Sequence, residues 1–230
     1  MTPKLLTDAL FKASGAQLIQ GSVSDIKTLT HSFQVSVANQ DSVDADIVVI
    51  AMGAWSAQAG QFFPKAKPVF AVSGSKAHSI IVEGQVPPEA LFIHLIDENG
   101  RSKEPEIYPR PDGTIYICGE SDGSALPDHP GDIQPREEAC QKLYSMTEII
   151  SPQLAGAEIK TKQACYLPCS ADGVPIIGPI PNYDKAFLAS GHGCWGILNG
   201  PATGKCLAQL ILGQKVELDL EPFSPTRFMK

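Results

Sequence analysis

Apolar and polar positions divide the opening part of the chain into one helix followed by strands. Leucines and alanines recur at helical spacing over residues 3–14, which predicts an amphipathic helix. The pattern then predicts a strand over residues 16–26 and a half-exposed strand over residues 33–37, where apolar and polar positions alternate. Residues 46–53 form a continuous apolar run, which is typical of a strand buried on both faces. A short helix is predicted over residues 53–61.

From residue 64 the pattern changes to strands without helices between them. Strands are predicted over residues 69–73, 78–82, 91–96, 107–110 and 114–119. Pro111-Asp112-Gly113 separates the last two and predicts a hairpin, because this residue combination favours a tight turn. An amphipathic helix over residues 132–150 and a strand over residues 158–167 follow. These elements predict an antiparallel sheet with one helix.

The last part of the chain contains a strand, a glycine-rich turn and a helix in close succession. Residues 187–189 form the apolar strand, and glycines without a Cβ atom then allow the backbone to approach a ligand closely. Asn199, Gly200 and Pro201 predict that the helix begins at Pro201, and Gly213 is predicted to end it. Because a helix N-terminus attracts negative charge, the sequence predicts that this turn holds an anion or a cofactor.

The order of elements is α/β, then an antiparallel sheet with one helix, then α/β again. This order predicts a fold of the class α/β plus α+β, in which one domain is split and a second domain interrupts it. The predicted segments are residues 1–63, 64–165 and 166–230, with the first and last forming the split domain.

Composition narrows the possible function classes. The chain has 230 residues, 43% of them hydrophobic, and a formal net charge of −7, which favours a substantial core and disfavours a nucleic-acid surface. No apolar run is long enough to span a bilayer, and the first residues do not resemble a signal peptide, so a cytoplasmic location is expected. The six cysteines show neither zinc spacing nor a disulfide framework, so we expect reduced thiols and no metal site.

The glycine-rich turn also matches a nicotinamide-binding pattern. Gly191, Gly193 and Gly196 satisfy G-x-G-x-x-G, and Glu217 follows about twenty residues later, as that pattern requires. We rank this hypothesis last, because the helix is predicted to start only at Pro201 and no βαβαβ half follows the turn.

Three motifs occur in order along the chain: residues 45–56, residues 172–178 with the sequence Asp-Gly-Val-Pro-Ile-Ile-Gly, and Ser190-Gly-His-Gly193. Together they resemble the D-amino-acid oxidase/glycine oxidase superfamily of FAD-dependent oxidoreductases. The resemblance implies a partial FAD/NAD(P)-binding domain split around an antiparallel β-sheet substrate domain. It further implies bound FAD and oxidation of a small amine-type or related substrate by hydride transfer to the flavin. No G-x-G-x-x-G turn precedes Gly53, so the resemblance also implies that the first βαβ half is not part of this chain.

The resemblance assigns the residues that would contact FAD. Val23 would offer its backbone to the adenine, while Ala51, Gly53 and Trp55 would lie beside the adenosine and the pyrophosphate. The glycine-rich turn would run along the isoalloxazine, where backbone N–H groups and the helix dipole stabilise negative charge on the reduced ring. The residues implied for this last group are Gly191, His192, Gly193, Cys194, Trp195, Gly196, Ile197 and Asn199. Cys165 is out of register with the cysteine that attaches flavin in some relatives, so the FAD is predicted to be noncovalent.

The candidates for catalysis lie in two regions. His192 and Trp195 belong to the glycine-rich turn, and Tyr108 and Arg110 belong to the predicted hairpin, where strand alternation places them on the same side. Each also has a purely structural interpretation: a histidine packed in a turn, a core tryptophan, or residues of a solvated hairpin.

One position departs from the family pattern. Amino-acid oxidases of this superfamily carry an arginine where this chain has Leu167, and a leucine cannot pair with a substrate carboxylate. An ordinary amino acid is therefore not the expected substrate. A second hypothesis is a catalytically weak or inactive family member that serves as a binding or intracellular trafficking factor.

Overall fold

The structure, a computed structural model, describes residues 3–96 and 100–229. The chain divides into two compact units. Unit 1 consists of residues 1–73 and 168–230, and unit 2 consists of residues 74–167. Each unit has its own hydrophobic core, which is described separately below.

The described helices are α1 (Pro3–Ser14), α2 (Glu137–Ile150) and α3 (Gly196–Ile211). The described strands are β1 (Val23–Thr28), β2 (Phe33–Val37), β3 (Val43–Ala45), β4 (Val48–Ile50), β5 (Val72–Glu83), β6 (Leu91–Phe92), β7 (Leu95–Ile96), β8 (Ser102–Lys103), β9 (Glu106–Pro109), β10 (Thr114–Asp122), β11 (Ile159–Ser170), β12 (Ile176–Pro179) and β13 (Ala186–Ser190). Several 3₁₀ segments connect them, including Gly53–Gln61, Pro64–Phe70 and Gly193–Trp195.

Unit 1 contains two small sheets among its described residues. Strands β1, β2 and β3 form an antiparallel sheet in that order. The second sheet has the order β12-β13-β4, in which β13 runs antiparallel to β12 and parallel to β4. Both sheets contribute to one core, whose largest fully buried side chains include Phe33, Phe63 and Leu188.

Three sequence predictions for unit 1 need correction. The strand predicted over residues 16–26 begins only at Val23. The apolar run 46–53 yields the short strand β4, which is not buried on both faces, because Ile47 and Val49 are 40% and 42% exposed. Residues 176–179, over which no strand was predicted, form β12, because they pair with β13.

The start of α3 also differs from the prediction. The helix begins at Gly196, directly after the 3₁₀ segment Gly193–Trp195, and continues through Pro201. Proline removes one intrahelical hydrogen bond to the carbonyl four residues earlier, here that of Ile197. Residues 197–202 are exposed to solvent, so water can donate a hydrogen bond to that carbonyl and the helix can begin before Pro201.

Unit 2 is organised around an antiparallel arrangement of β5, β10 and β9, with β11 and β6 at the two edges of the described sheet. The predicted hairpin is confirmed: β9 and β10 pair across Pro111-Asp112-Gly113, and Asp112 Oδ1 accepts a hydrogen bond from the Thr114 backbone at 3.0 Å. One face of the sheet packs on α2. The core at this contact contains Ile80, Val82, Ile107, Ile115, Ile117, Cys140, Leu143 and Leu154.

Element boundaries in unit 2 shift relative to the sequence pattern. The two strands predicted over residues 69–73 and 78–82 are replaced by a 3₁₀ segment and the single strand β5. Helix α2 begins at Glu137, later than residue 132, because a separate 3₁₀ turn occupies Pro130–Asp132. Residues 97–99, which follow β7, lie outside the described residues.

Candidate functional site

Two glycine turns of unit 1 lie at the same edge of one sheet. Because β4 and β13 are parallel neighbours, their carboxyl ends meet at that edge. After β4 the chain turns at Gly53 into a 3₁₀ segment, and after β13 it turns at Gly191 into α3. In open α/β sheets, ligands bind beyond the carboxyl ends of such strands. We call Gly53 and residues 191–196 the glycine turns.

The backbone conformation explains why glycines occupy these positions. Gly53, Gly191 and Gly193 have φ angles of 53°, 80° and 56°, a region that L-residues rarely adopt. A Cβ atom at Gly191 would lie 3.1 Å from the Cβ of Ser170, so this glycine also permits a close contact. A Cβ atom at Gly53 or Gly193 would meet no protein atom within 4 Å, so the space beside these two residues is open.

A buried pair of serines joins the two glycine turns. Ser190 Oγ donates to the Gly53 carbonyl at 3.0 Å, and Ser56 Oγ lies 2.7 Å from both Ser190 Oγ and the Gly53 carbonyl. Both serines are at most 2% exposed. Neither serine was predicted as a site residue, because the two are separated by 134 positions and nothing local in the sequence indicates that they meet.

His192 is held by α3. Its Nε2 lies 2.9 Å from Thr203 Oγ1, and its backbone forms a bridge with Cys169. Burial lowers the pKa of the imidazole, so the neutral form is favoured at neutral pH. The structure therefore places His192 on the glycine turn as a neutral, oriented side chain. Thr203 is a third residue, after the two serines, that was not predicted from the sequence.

Apolar side chains near the glycine turns are exposed. Trp195 and Ile197 at the start of α3 are 62% and 48% exposed, and Met52 before Gly53 is 37% exposed. Cys194, Asn199 and Ala51 are exposed as well. Trp195 is thus not a core residue. No side chain caps the first residues of α3, and the Trp195 N–H donates to the His192 carbonyl at 3.0 Å within the preceding 3₁₀ turn.

Of the remaining predicted cofactor residues, Trp55 and Gly196 lie at the edge that carries the glycine turns and Val23 does not. Trp55 lies in the 3₁₀ segment that follows Gly53, where its backbone N–H donates to the Met52 carbonyl at 3.0 Å. Gly196 begins α3. Val23 opens β1 and pairs with Val37, so it belongs to the other sheet of unit 1 and not to the edge that carries the glycine turns.

An arginine near the end of the described residues binds the second predicted motif, residues 172–178. Arg227 donates to both carboxylate oxygens of Asp172, at 2.7 and 3.1 Å, and to the carbonyl of Val174 at 2.7 Å. Asp172 Oδ1 also accepts from the Val174 backbone at 3.1 Å, so it stabilises its own turn. The hydrogen bond from Arg227 lowers the pKa of Asp172 to about 2. Arg227 was not predicted from the sequence.

In unit 2, Tyr108 and Arg110 lie among polar and aromatic side chains. Tyr108 Oη donates to Glu106 Oε2 at 2.8 Å, and the Arg110 guanidinium carbon lies 5.2 Å from the ring centre of Tyr116. Tyr108 and Tyr116 are direct cross-strand neighbours, and so are Glu106 and Cys118. We call Glu106, Tyr108, Tyr116 and Cys118 the tyrosine face. Glu106, Tyr116 and Cys118 were not among the predicted site residues.

Two further observations concern the residues that the structure describes. Among them, no helix combines the length and the apolar character needed to cross a membrane. Likewise, no three histidine, cysteine or acidic side chains in residues 3–96 and 100–229 are grouped as metal ligands would be.

Comparisons with known proteins agree on one family. The model of the family "DAO: FAD dependent oxidoreductase" matches residues 1–210. The Schizosaccharomyces pombe protein C1F5.03c, whose name places it among the oxidoreductases without giving a substrate, is 34% identical over 74% of this chain and 43% of its own length. Glycine oxidase from Pseudomonas aeruginosa is 30% identical over 81% of this chain and 47% of its own length.

A solved structure supports the same assignment. Glycine oxidase from Geobacillus kaustophilus superimposes with a TM-score of 0.78 at 27% identity, covering 94% of this chain and 55% of that one. The chain thus spans about half the length of the relatives it matches. These relatives give no support to a trafficking role, and the family model specifies FAD and not a nicotinamide cofactor. The fold is accordingly a mixed α/β fold like that of glycine oxidase, and the chain belongs to the DAO family of FAD dependent oxidoreductases.

Proposed function

We propose that unit 1 is part of a noncovalent FAD site and that the intact protein oxidises a small amine-type substrate. The observation that carries this proposal is the parallel pair β4 and β13, whose two glycine turns are joined by Ser56 and Ser190. This arrangement gives an edge with open space beside Gly53 and Gly193 and the N-terminus of α3 next to it. Residues 1–63 and 166–230 would then form the split cofactor domain, and residues 64–165 the substrate domain.

The residues of this edge fit a flavin. Gly53 and Gly193 leave space that any Cβ atom would fill, and Trp195 and Ile197 offer apolar surface to an aromatic ring. The N-terminus of α3 carries a partial positive charge, which favours an anionic group beside it. We propose that residues 191–197 and Asn199 lie along the isoalloxazine, and that Ala51, Gly53, Trp55 and Val23 lie towards the adenosine.

Bound FAD would supply the two-electron acceptor for the reaction. The chain's own groups would orient it and exclude water. His192, neutral and bonded to Thr203, would act as a flavin neighbour that keeps the turn in place. Trp195 would provide an apolar wall beside the reacting atoms. We propose that Tyr108 and Arg110 of unit 2 contact the substrate, because Tyr108 belongs to the tyrosine face and the Arg110 guanidinium lies over the ring of Tyr116 in that face. Leu167 offers no charge that could pair with a substrate carboxylate.

The cofactor proposal is tested by FAD binding with a matched pair of glycine substitutions. Gly193 and Gly213 have similar φ angles, 56° and 64°, and a Cβ atom at either would meet no protein atom within 4 Å. Gly193→Ala and Gly213→Ala therefore carry the same backbone strain, but only Gly193 lies in the glycine turns. We expect Gly193→Ala to weaken FAD binding at least about tenfold, a loss of about 1.4 kcal/mol.

The measurement is titration of the purified chain with FAD, followed by flavin fluorescence, in parallel with thermal unfolding. Gly213→Ala should lower the unfolding temperature by a similar amount and leave the affinity for FAD unchanged. Equal loss of FAD affinity in the two variants would mean that strain alone is responsible and would remove the turn from the flavin site. A chain that takes up no FAD in any form, including when the polypeptide is extended upstream from its gene, would contradict the proposal.

A further inference from the structure

The tyrosine face lies on the side of the unit 2 sheet away from α2. Along β9 and β10, the isoleucines at positions 107, 115 and 117 belong to the core against α2. Because successive side chains point to opposite faces of a sheet, Glu106, Tyr108, Tyr116 and Cys118 point the other way. The four side chains of this face are half-buried.

The two oxygens of the Glu106 carboxylate differ in their hydrogen bonds. Tyr108 Oη at 2.8 Å and Cys118 Sγ at 3.7 Å both donate to Oε2. Burial raises the pKa of Cys118 to about 12, and burial together with Glu106 raises that of Tyr108, so both groups stay protonated donors. Within residues 3–96 and 100–229, Oε1 accepts no hydrogen bond and Glu106 forms no ion pair with a lysine or arginine.

Aromatic side chains lie next to Glu106 on the sheet, and Phe92 is its direct cross-strand partner on β6. The rings of Phe92 and Tyr108 meet edge to face, with centres 5.6 Å apart, and the ring of Tyr116 lies 6.3 Å from that of Tyr108. The faces of such rings attract cations, and the guanidinium of Arg110 already lies over Tyr116. Since Arg110 would repel a second cation at its own end of the row, the Glu106 end is where a cationic ligand is favoured.

We propose that Glu106 Oε1, in unit 2, binds the ammonium group of a protonated amine, with its neighbours Phe92 and Tyr108 beside the ligand. The inference rests on the proposed function for its link to oxidation, and it narrows the substrate to amines that arrive as ammonium ions. A carboxylate flanked by aromatic rings suits an ammonium group, because the charge of the acid and the ring faces attract the same ion. Tyr108 and Cys118 act through Glu106 by fixing the orientation of its carboxylate.

The test uses the purified chain without FAD and three small probes of matched length: n-butylammonium, n-butanol and butanoate. Binding is followed by chemical-shift changes of the backbone amides of β9 and β10. At about pH 7, where an alkylamine is protonated, we expect n-butylammonium to bind about fivefold more tightly than n-butanol, and butanoate to bind most weakly. Glu106→Gln should remove the preference for the ammonium probe.

Glu104→Gln is the matched control, because it makes the same change at a side chain that is 80% exposed, outside the tyrosine face. It should retain the preference. Glu106→Asp keeps the negative charge and should keep part of the preference for the ammonium probe. This variant therefore separates an effect of charge from an effect on folding. Unchanged ammonium binding in Glu106→Gln would overturn the inference, as would equal affinity for all three probes. If FAD binding fails while the Glu106-dependent preference persists, the flavin proposal falls and this site stands; the reverse result removes this site alone.

Discussion

The glycine turns of unit 1 and the tyrosine face of unit 2 differ in the atoms that they offer to a ligand. The glycine turns present backbone N–H groups and open space, and the side chains that hold them, Ser56 and Ser190, are buried. The tyrosine face presents side-chain oxygens, rings and a thiol on a regular sheet. Backbone geometry determines the first surface, whereas side-chain identity determines the second.

This difference has a consequence for mutations. A change in the glycine turns alters the backbone, so it should affect stability and binding together. A change on the tyrosine face leaves the strand pairing in place, so it should affect binding with little effect on stability. Gly191→Ala and Tyr108→Phe test this contrast, and Arg227→Ala measures for comparison an ion pair that belongs to neither surface. The expected effects on the free energy of unfolding decrease in the order Gly191→Ala, Arg227→Ala, Tyr108→Phe.

Gly191→Ala should have the largest effect. The φ angle of 80° costs an L-residue about 1–2 kcal/mol, and the new Cβ atom would also lie 3.1 Å from the Cβ of Ser170. We expect the free energy of unfolding to fall by about 2–3 kcal/mol in urea titrations. Gly193→Ala is the control, since it has a similar φ angle but no close contact, and it should lose less. Equal losses would show that the contact with Ser170 contributes nothing.

Arg227→Ala should have an intermediate effect that depends on pH. We expect a loss of about 1–2 kcal/mol near neutral pH, limited by the 39% exposure of the Asp172 side chain. Arg227 lowers the folded-state pKa of Asp172 from 3.8 to about 2, so its contribution is fully present above pH 3.8 and is lost as the pH falls towards 2.

The measurement is the unfolding free energy of both proteins between pH 6 and pH 2. The difference between wild type and Arg227→Ala should shrink below pH 4 as Asp172 becomes protonated in the folded state. Arg227→Lys keeps the positive charge but not the bidentate hydrogen bonds to Asp172, so it should recover only part of the stability that Arg227→Ala loses. A difference that stays constant over this range would mean that Asp172 is not the partner responsible.

Tyr108→Phe should have the smallest effect on stability. It removes the hydrogen bond to Glu106 but keeps the ring against Phe92, so the unfolding free energy should change by less than about 1 kcal/mol. Binding of n-butylammonium should nevertheless weaken, because the Glu106 carboxylate is no longer oriented. A large loss of stability in this variant would show that the tyrosine face supports the fold, and the contrast with the glycine turns would then disappear.

Local sequence patterns predicted several elements well. Pro111-Asp112-Gly113 predicted the β9–β10 hairpin, because turn residues act over only a few positions. The alternation of side chains along a strand predicted that Tyr108 and Arg110 lie on the same side of the hairpin, and in the structure both contact Tyr116. Local patterns failed where neighbours decide the outcome: α3 passes through Pro201 because its first turns are solvated, and β12 exists because β13 pairs with it.

The sequence by itself predicted the glycine-rich turn and the hairpin, since each depends on residues close together in the chain. The three motifs and their order along the chain were enough to indicate the family. Only the tertiary structure revealed how the site is held together. Ser56 reaches Ser190 across 134 positions and Arg227 reaches Asp172 across 55. Such contacts depend on how distant strands pair and pack, which no local propensity encodes. The same holds for the free oxygen of Glu106, because only cross-strand pairing places Tyr108 and Cys118 together on the other oxygen.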